Sequence, residues 1–591
     1  MKSGMEVVTI ETDVLVIGGG LAGCMAAIGA REHGARVTIA EKGNTMSSGQ
    51  AGSGIDHIWA YIPDIHDRVG WSIDDLVDDH VQVVAGGFAR RDLFRLMAEM
   101  SYARLLDLER FGLRMRYDDS PLTGGLRLVQ QFGSIPETVN LDGRRLKVIL
   151  TNAVKRSGAT IVNRVTMTDL LTADSAIAGA VGIGTRDGKI YLFKAKGVVL
   201  ATGGKTGRLG REPSGIDFNL HLPANLCCDG KAMAYQAGLP VMNMEFLSSS
   251  IFAVANYGFS AGLPRNTWHP AASVVDAQGR ILVANTHLYP WDELKTGNKI
   301  DPAVSRRAWL AERNTLSGSM PKAGSWGERG PFYLDCTGAS EEEIRYTEWS
   351  IGNEGRGAQF LRHLDEEGID LRRDKLELSP HGHRREIGNM SCSGLLVDGN
   401  LEATIRGLFV AGDEIGGVPF ASSMGAFTTG WHCGDVTGSE ARTAEPFLPI
   451  DNDVFERRCR SCTEMLSRSK GAPWQEVNSA LQNVMDDYCG EVRTEAMLVK
   501  GLDHLKAIKG IPLRAANPHE LGRCLEVMFL LDAGEMVIRA SLARKESRRQ
   551  PLPFRRADFP EQDDKNWLAF SAVRLENGKP TVFGIPINAP L

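Results

Sequence analysis

No stretch of the 591 residues stays apolar long enough to span a bilayer. The chain does not open on a basic segment, an apolar core and a cleavage site, and it carries no twin-arginine signal. These absences predict a cytoplasmic protein with no direct membrane insertion. Cysteine is sparse: ten scattered residues exclude a disulfide-stapled scaffold and suit reduced thiols. The one C-x-x-C, Cys459 to Cys462, lacks a second ligand pair at metal spacing, so no metal site is expected. Its helical surroundings predict packing instead. Charge of one sign is missing too. A formal net charge of -6 gives no electrostatic reason to expect nucleic acid as a partner. Internal repeats and low-complexity segments are absent.

What remains is an ordinary globular composition, 43% hydrophobic and 24% charged. The length predicts two to four domains. The first forty residues read β-α-β. Asp13–Ile17 is a short apolar run fit for a buried parallel strand. Three glycines break it, an Ala-rich helical stretch runs from Leu21 to His33, Gly34 stops that helix, and Arg36–Glu41 is a second strand. Residues 43–54 are rich in Gly and Ser and predict a loop. Residues 74–112 read helical, 160–201 carry strands, and 452–548 return to helix. A Pro-rich mixed tail closes the chain.

Gly18-x-Gly20-x-x-Gly23 sits between the strand and the helix. Gly18 permits the tight turn, Gly20 leaves room for a pyrophosphate, and Gly23 lets the helix pack on the strand. The helix N-terminus, from Leu21 and Ala22 onward, offers free N–H groups and a positive dipole end to phosphates. Glu41 ends the second strand, where an acidic residue bonds ribose hydroxyls and repels a 2′-phosphate. Loop and acid alone leave FAD and NAD both open. Two distant segments narrow the choice: Ala201-Thr202-Gly203-Gly204 follows an apolar strand, and Gly407–Asp413 (GLFVAGD) is a strand ending in Gly-Asp.

With these pieces the chain resembles the flavoprotein subunits of the succinate dehydrogenase / fumarate reductase superfamily, which includes L-aspartate oxidase and adenylylsulfate reductase alpha. The glycine loop, the ATGG and GLFVAGD segments, Asp229-Gly230 with the following KAMAYQAGLPVMNMEF, and the ending Ala543–Arg548 with Asp563–Trp567 all match, in family order. Local texture is most similar to adenylylsulfate reductase alpha, both over 177–204 and over Phe420–Gly430. The resemblance implies an α/β fold: a Rossmann-like FAD-binding domain interrupted by an α+β capping domain, followed by a C-terminal helical domain. The expected boundaries are 1–220 and 376–447 for the two FAD-binding parts, 221–375 for the cap, 448–550 for the helical domain and 551–591 for an extension. FAD is expected on Gly18, Gly20, Leu21, Ala22, Gly23, Glu41, Lys42, Ser48, Gly49, Gly52, Thr202, Gly203, Gly204, Asp229, Gly412, Asp413 and Ser423.

The departures are as informative as the matches. Where the family carries a flavin-linked histidine, this chain has Ser48 or Gly49, which predicts non-covalent FAD. The arginine proton shuttle aligns with Trp268, the family's H-P-T-G segment with Ser248–Ser250, and the second arginine clamp with Ala421–Gly425. Burying a four-carbon dicarboxylate without those donors costs several kcal/mol or more, so succinate and fumarate are disfavoured as substrates. The adenylylsulfate reading is weakened likewise: its substrate arginine is missing from Met244–Ser248, and its histidine appears as Cys392.

His383, in a segment resembling P-T-A-H, is the first candidate for substrate binding or proton transfer. His269 is the second. Arg265 is a candidate anion anchor, with Arg384 and Arg385 as substitutes. Cys392 reads either as a packed thiol or as one facing the flavin. Lys545 and Glu546 are expected in an ion-pair network between domains. The chain shows no iron–sulfur cysteine set, so the resemblance implies a separate partner chain, a ferredoxin-like 4Fe-4S subunit. Two alternatives remain: a stand-alone flavin oxidase like L-aspartate oxidase, and a non-catalytic electron-carrier subunit.

Overall fold

The structure is a computed structural model. It describes residues 5–118, 120, 124–129, 135–204, 206–211, 223–249, 271–283, 330–353, 355–378, 385–387, 392–443, 446–450, 452–548, 552 and 554–589. The first apolar run is the inner end of a longer strand, β1 (Val7–Ile17). Its outer half alternates exposure, while Val14–Ile17 is fully buried. Strand β2 (Val37–Glu41) is buried throughout. β3 (Thr160–Asn163) pairs with β2, and β2 with β1, all in parallel. On the other side of β1 lies β6 (Ile190–Leu200), which follows the meander strands β4 (Val165–Ala173) and β5 (Ala176–Gly184). The inner end of β6 also receives β7 (Leu408–Val410) in parallel. The parallel order is therefore β3-β2-β1-β6-β7, with β5 and β4 running antiparallel off the outer half of β6. Such a sheet puts its ligand crevice at the strands' carboxyl ends. Gly18, Lys42, Ala201 and Ala411 all follow such ends.

Helix α1 (Leu21–Glu32) leaves the glycine loop, and α2 (Arg91–Phe111) and α3 (Leu146–Ser157) pack nearby. Helix α4 (Asp229–Gln236) precedes the short strand Val241–Met242. Helix α5 (Ser422–Thr443) lies against α1. Residues 420–430 are rich in Gly, Ser and Thr, which have low helix propensity. Packing overrides that. Gly430, Gly434 and Gly438 sit at every fourth position, facing Ala22, Ala26 and Ala30, and a methyl group at Gly430 or Gly434 would overlap α1's carbonyl oxygens. The small residues let the two backbones touch.

Helices α6 (Asn452–Ser467), α7 (Trp474–Tyr488), α8 (Glu495–Lys509) and α9 (Pro518–Ala543) form the helical unit. Its core includes Cys459 and Cys462, both buried, with Leu481, Leu498 and Leu530, and it continues into Val181 and Ile183 of β5. The C-x-x-C is a packing feature here. A separate hydrophobic cluster forms around Phe332, Leu334, Ile344 and Phe360, in the region expected as the cap. The tail is more ordered than its composition suggests. Ala569–Glu576 and Lys579–Pro586 form a hairpin whose first strand pairs with Val241–Met242.

Two histidines in the 57–111 region are buried neutral. Burial holds His66 and His80 down at about 4. His66 accepts the Ile62 N–H through Nδ1, and His80 sits between Trp59 and Phe94. The unfolded chain binds protons at these sites below about pH 6.5, whereas the folded chain binds them only near pH 4. Stability attributable to them is present above 6.5 and is lost as pH falls toward 4, by about 3 kcal/mol per histidine at most. Urea titrations at stepped pH check this: His80→Asn is expected to flatten the loss between pH 6.5 and 4.

Candidate functional site

The glycine loop is fixed from three sides. Gly18 adopts φ 102°, a conformation a side chain resists. Its N–H donates to Ala40 O at 2.9 Å, and a methyl group there would lie 2.5 Å from Ala201 O. A methyl group on Gly23 would overlap Gly18 O. At Gly20, by contrast, an added carbon meets nothing within 4 Å. The first turn of α1 has no side-chain cap. Open space thus lies over Gly20, at a helix start whose N–H groups have no side-chain acceptor.

Glu41 is 6% exposed. Its Oε2 accepts the Gly19 N–H at 2.6 Å and its Oε1 the Gly43 N–H at 2.5 Å. Each oxygen keeps a further lone pair for a ribose hydroxyl. Beside it, Ser48 is buried and its hydroxyl has no partner. Gly49 packs close to Gly20, where an added carbon would lie 3.3 Å from Gly20 Cα. Gly52 is held against Ser47 O, and Gly203 at φ 83° faces open space. An empty glycine surface, an acid at the ribose position and an orphaned buried hydroxyl fit a dinucleotide. Lys147 was missed by sequence reasoning: its ammonium donates to Gly19 O at 2.6 Å and props the loop from below.

A second cluster lies across the crevice. Thr202 donates its hydroxyl to Glu414, and Lys231 bonds Glu414 Oε2 and Asp413 O, both at 3.1 Å. Lys231 and Glu414 are fully buried. Burial works against the charge on Lys231, but the facing Glu414 carboxylate outweighs it and raises the ammonium's pKa. Gly204 packs on Asp413, Gly230 on Thr202 and Glu414, and the Gly412 N–H donates to Thr429 Oγ1 at 2.9 Å. The ATGG, DGK and GDE segments thus interlock. Glu414 and Lys231 directly follow the motifs the sequence singled out, which is the signal that marks them.

Lys42 and Asp229 are joined to each other at 2.6 Å, and Lys42 also reaches Glu526 of α9 at 3.3 Å. Arg208 bonds the same glutamate. Burial opposes the charge on Lys42, yet Asp229 and Glu526 raise its pKa. Asp229 Oδ1 is left without a partner. Ser423 opens α5 and donates to His57 O at 3.4 Å.

Three predicted residues, His383, His269 and Arg265, lie outside the described residues, as do Trp268 and Arg384. Strand Ser248–Ser249 pairs antiparallel with Arg385–Glu386. Two segments read as substrate-facing are thereby brought together. Cys392 is packed: its thiol donates to Phe88 O at 3.4 Å, Asn243 Nδ2 donates to Sγ at 3.2 Å, and burial pushes the thiol up to about 12. Glu546 belongs to a buried network with Arg544, Arg548 and Glu245. Lys545 instead lies over the Phe559 ring at 6.0 Å; the two arginines beside it carry the pairing. Among the described residues no group of three or more His, Cys, Asp or Glu could hold a metal ion. No described helix is long and apolar enough to cross a membrane.

Sheet, loop and cradle define a protein of the dinucleotide-binding class, joined to a C-terminal helical unit. Residues 13–428 match the FAD binding domain family, and residues 478–588 match the fumarate reductase flavoprotein C-term family. The chain belongs to the FAD-dependent oxidoreductases of the fumarate reductase / succinate dehydrogenase flavoprotein family. It is 24% identical to a fumarate reductase (CoM/CoB) chain of Methanothermobacter marburgensis, over 94% of this chain and 96% of that one. It is 23% identical to L-aspartate oxidase of Pseudomonas aeruginosa, over 91% and 94%. Adenylylsulfate reductase from Archaeoglobus fulgidus shares the fold with a TM-score of 0.79 at 23% identity, covering 99% of this chain and 97% of that chain.

Proposed function

We propose that this chain is the catalytic flavoprotein subunit of a two-electron oxidoreductase. Its FAD is held without a covalent bond, its substrate is a small molecule other than a four-carbon dicarboxylate, and its electrons pass to or from a separate ferredoxin-like 4Fe-4S subunit. The observation that carries the reading is the cradle itself: open space at Gly20 and Gly203, Glu41 at the ribose position and the unpartnered Ser48 hydroxyl. The first N–H groups of α1 would take the pyrophosphate charge. Gly49, Thr202, Gly203 and Gly412 line the approach, while Lys147, Lys231 and Glu414 hold the loops that carry them. FAD when bound supplies the acceptor or donor of the electron pair; the protein supplies orientation and charge.

Ser48 and Gly49 offer no histidine for a flavin link. Acid precipitation of the purified chain is therefore expected to leave all flavin in the supernatant. Flavin in the washed pellet would show a covalent adduct and overturn this part. The partner reading rests on the family resemblance, with the ten cysteines dispersed along this chain and no iron–sulfur cysteine set among them. Co-purification with a small iron–sulfur protein tests it. Hydrogen peroxide production by the isolated chain at full turnover would favour an oxidase instead.

A further inference from the structure

One buried cation beneath the glycine loop carries more charge than its contacts require. Lys147 is 2% exposed and lies in the first turn of α3. Its ammonium donates to Gly19 O at 2.6 Å and lies 3.6 Å from Cys24 Sγ. Among the described residues no carboxylate pairs with it. Burial pushes the Cys24 thiol up, so the sulfur stays neutral and offsets nothing. Glu41 sits on the other side of Gly19: its carboxylate accepts the Gly19 N–H, whereas Lys147 holds the Gly19 carbonyl.

Two costs attach to this position. A buried charge is costly without an opposite charge close by. The first turn of a helix is also its positive end, where a cation is repelled, and α3 has no acidic residue in that turn. Holding one carbonyl takes only a neutral donor, such as an amide or a hydroxyl. A full charge here is balanced by an anion. The peptide sets where that anion lies. Gly19-Gly20 is a trans peptide, so the Gly20 N–H points opposite to the carbonyl that Lys147 holds. Among the described residues that N–H has no acceptor. It belongs to the one loop glycine whose added carbon meets nothing within 4 Å. Helix α1 starts at the next residue, with no acidic residue in its first turn and no side-chain cap. Ammonium, peptide dipole and helix end thus converge on Gly20.

Given the function proposed above, we infer that Lys147 supplies the buried counter-charge for the cofactor's pyrophosphate and aims the Gly20 N–H at it through the Gly19 carbonyl. It is a positioning residue. Its charge acts across the intervening peptide because the interior has a low dielectric constant. The coupling is mutual: the charge destabilises the ligand-free loop, and the diphosphate removes that penalty.

Binding of ADP and of adenosine to the FAD-stripped full chain tests this. The two ligands share adenine and ribose and differ by the diphosphate. Lys147→Gln keeps a donor near Gly19 O and removes the charge. It is expected to weaken ADP about tenfold or more and adenosine by less than about twofold. Lys147→Arg keeps the charge and should hold the ratio of the two affinities within about threefold of the wild type. Thermal unfolding gives a second readout. The stripped Lys147→Gln chain should melt no lower than the stripped wild type, since a buried charge has gone, and ADP should raise its midpoint less. Equal weakening of ADP and adenosine overturns the inference, because a mere prop of Gly19 also serves Glu41 and hence both ligands. Wild-type ADP affinity in Lys147→Gln overturns it too. If that variant does not fold, the wild type decides: inorganic pyrophosphate is expected to raise the midpoint of the stripped chain, and chloride at equal ionic strength is not. No rise with pyrophosphate, in a chain that takes up FAD normally, overturns the inference. A wild-type chain that binds neither ADP nor FAD would instead overturn the proposed function itself.

Discussion

Alanine at Gly23 and alanine at Gly20 are expected to impair FAD binding by different routes. At Gly23 the new methyl group overlaps Gly18 O. That oxygen cannot retreat, because Gly18 is tied to Ala40 O and sits against Ala201 on its other side. Helix α1 must move off β1 instead, and its partner α5, fitted to it glycine against alanine, moves with it or loses contact. Overpacking costs about 1–3 kcal/mol and occasionally more, so Gly23→Ala should lower the unfolding midpoint of the FAD-stripped chain as well as remove the cofactor. Gly20→Ala meets no protein atom within 4 Å, and Gly20 has an extended backbone open to any residue. Its stripped chain should unfold like the wild type while its FAD affinity falls about 100-fold, as expected when the pyrophosphate loses its close approach to the backbone. Unfolding midpoints paired with flavin titrations separate the two. Equal FAD affinity in Gly20→Ala and wild type would mean that the open space is not the phosphate site.

Arg544→Leu is expected to give the largest loss of stability of any single change outside the cradle. The guanidinium is 1% exposed. It donates to Glu245 Oε1 and Glu546 Oε1, both at 2.7 Å, and to Trp567 O and Ala569 O, both at 2.8 Å. It thus joins the end of α9, the segment after strand Val241–Met242 and the start of the C-terminal hairpin. Leucine leaves Glu245 fully buried with only the Ser571 hydroxyl, at 2.6 Å, as its described side-chain donor. Removing one partner of such a network costs about 3–5 kcal/mol. Arg544→Lys keeps the charge but not the planar fork, and should recover only part of the loss. Urea unfolding followed by tryptophan fluorescence measures both. A loss under about 1 kcal/mol for Arg544→Leu would contradict a buried, dependent carboxylate pair.

The glycine loop was legible because its constraints are local: a turn, a close helix and an acid at the end of the next strand fall within residues 18–41. The props of the site were not. Lys147 reaches Gly19 from 128 residues away, and Lys231 finds Glu414 across 183; neither spacing leaves a periodic trace. Helix α5 was hidden by its own composition, since the glycines that lower its propensity are those that dock it on α1. The C-terminal hairpin had a readable signal that went unused. Asn577-Gly578, both at positive φ, is the turn pair favoured between two alternating strands.

The central claim is that this chain couples a small molecule to its FAD. Anaerobic absorbance of the purified holoprotein, mixed with succinate, L-aspartate, simple amines, thiols, and sulfite with AMP, tests it most directly. The account predicts flavin bleaching by one compound other than succinate, to one electron pair per chain. Flavin that no small molecule bleaches, yet that a reduced iron–sulfur protein reduces normally, would contradict a catalytic role and leave an electron carrier.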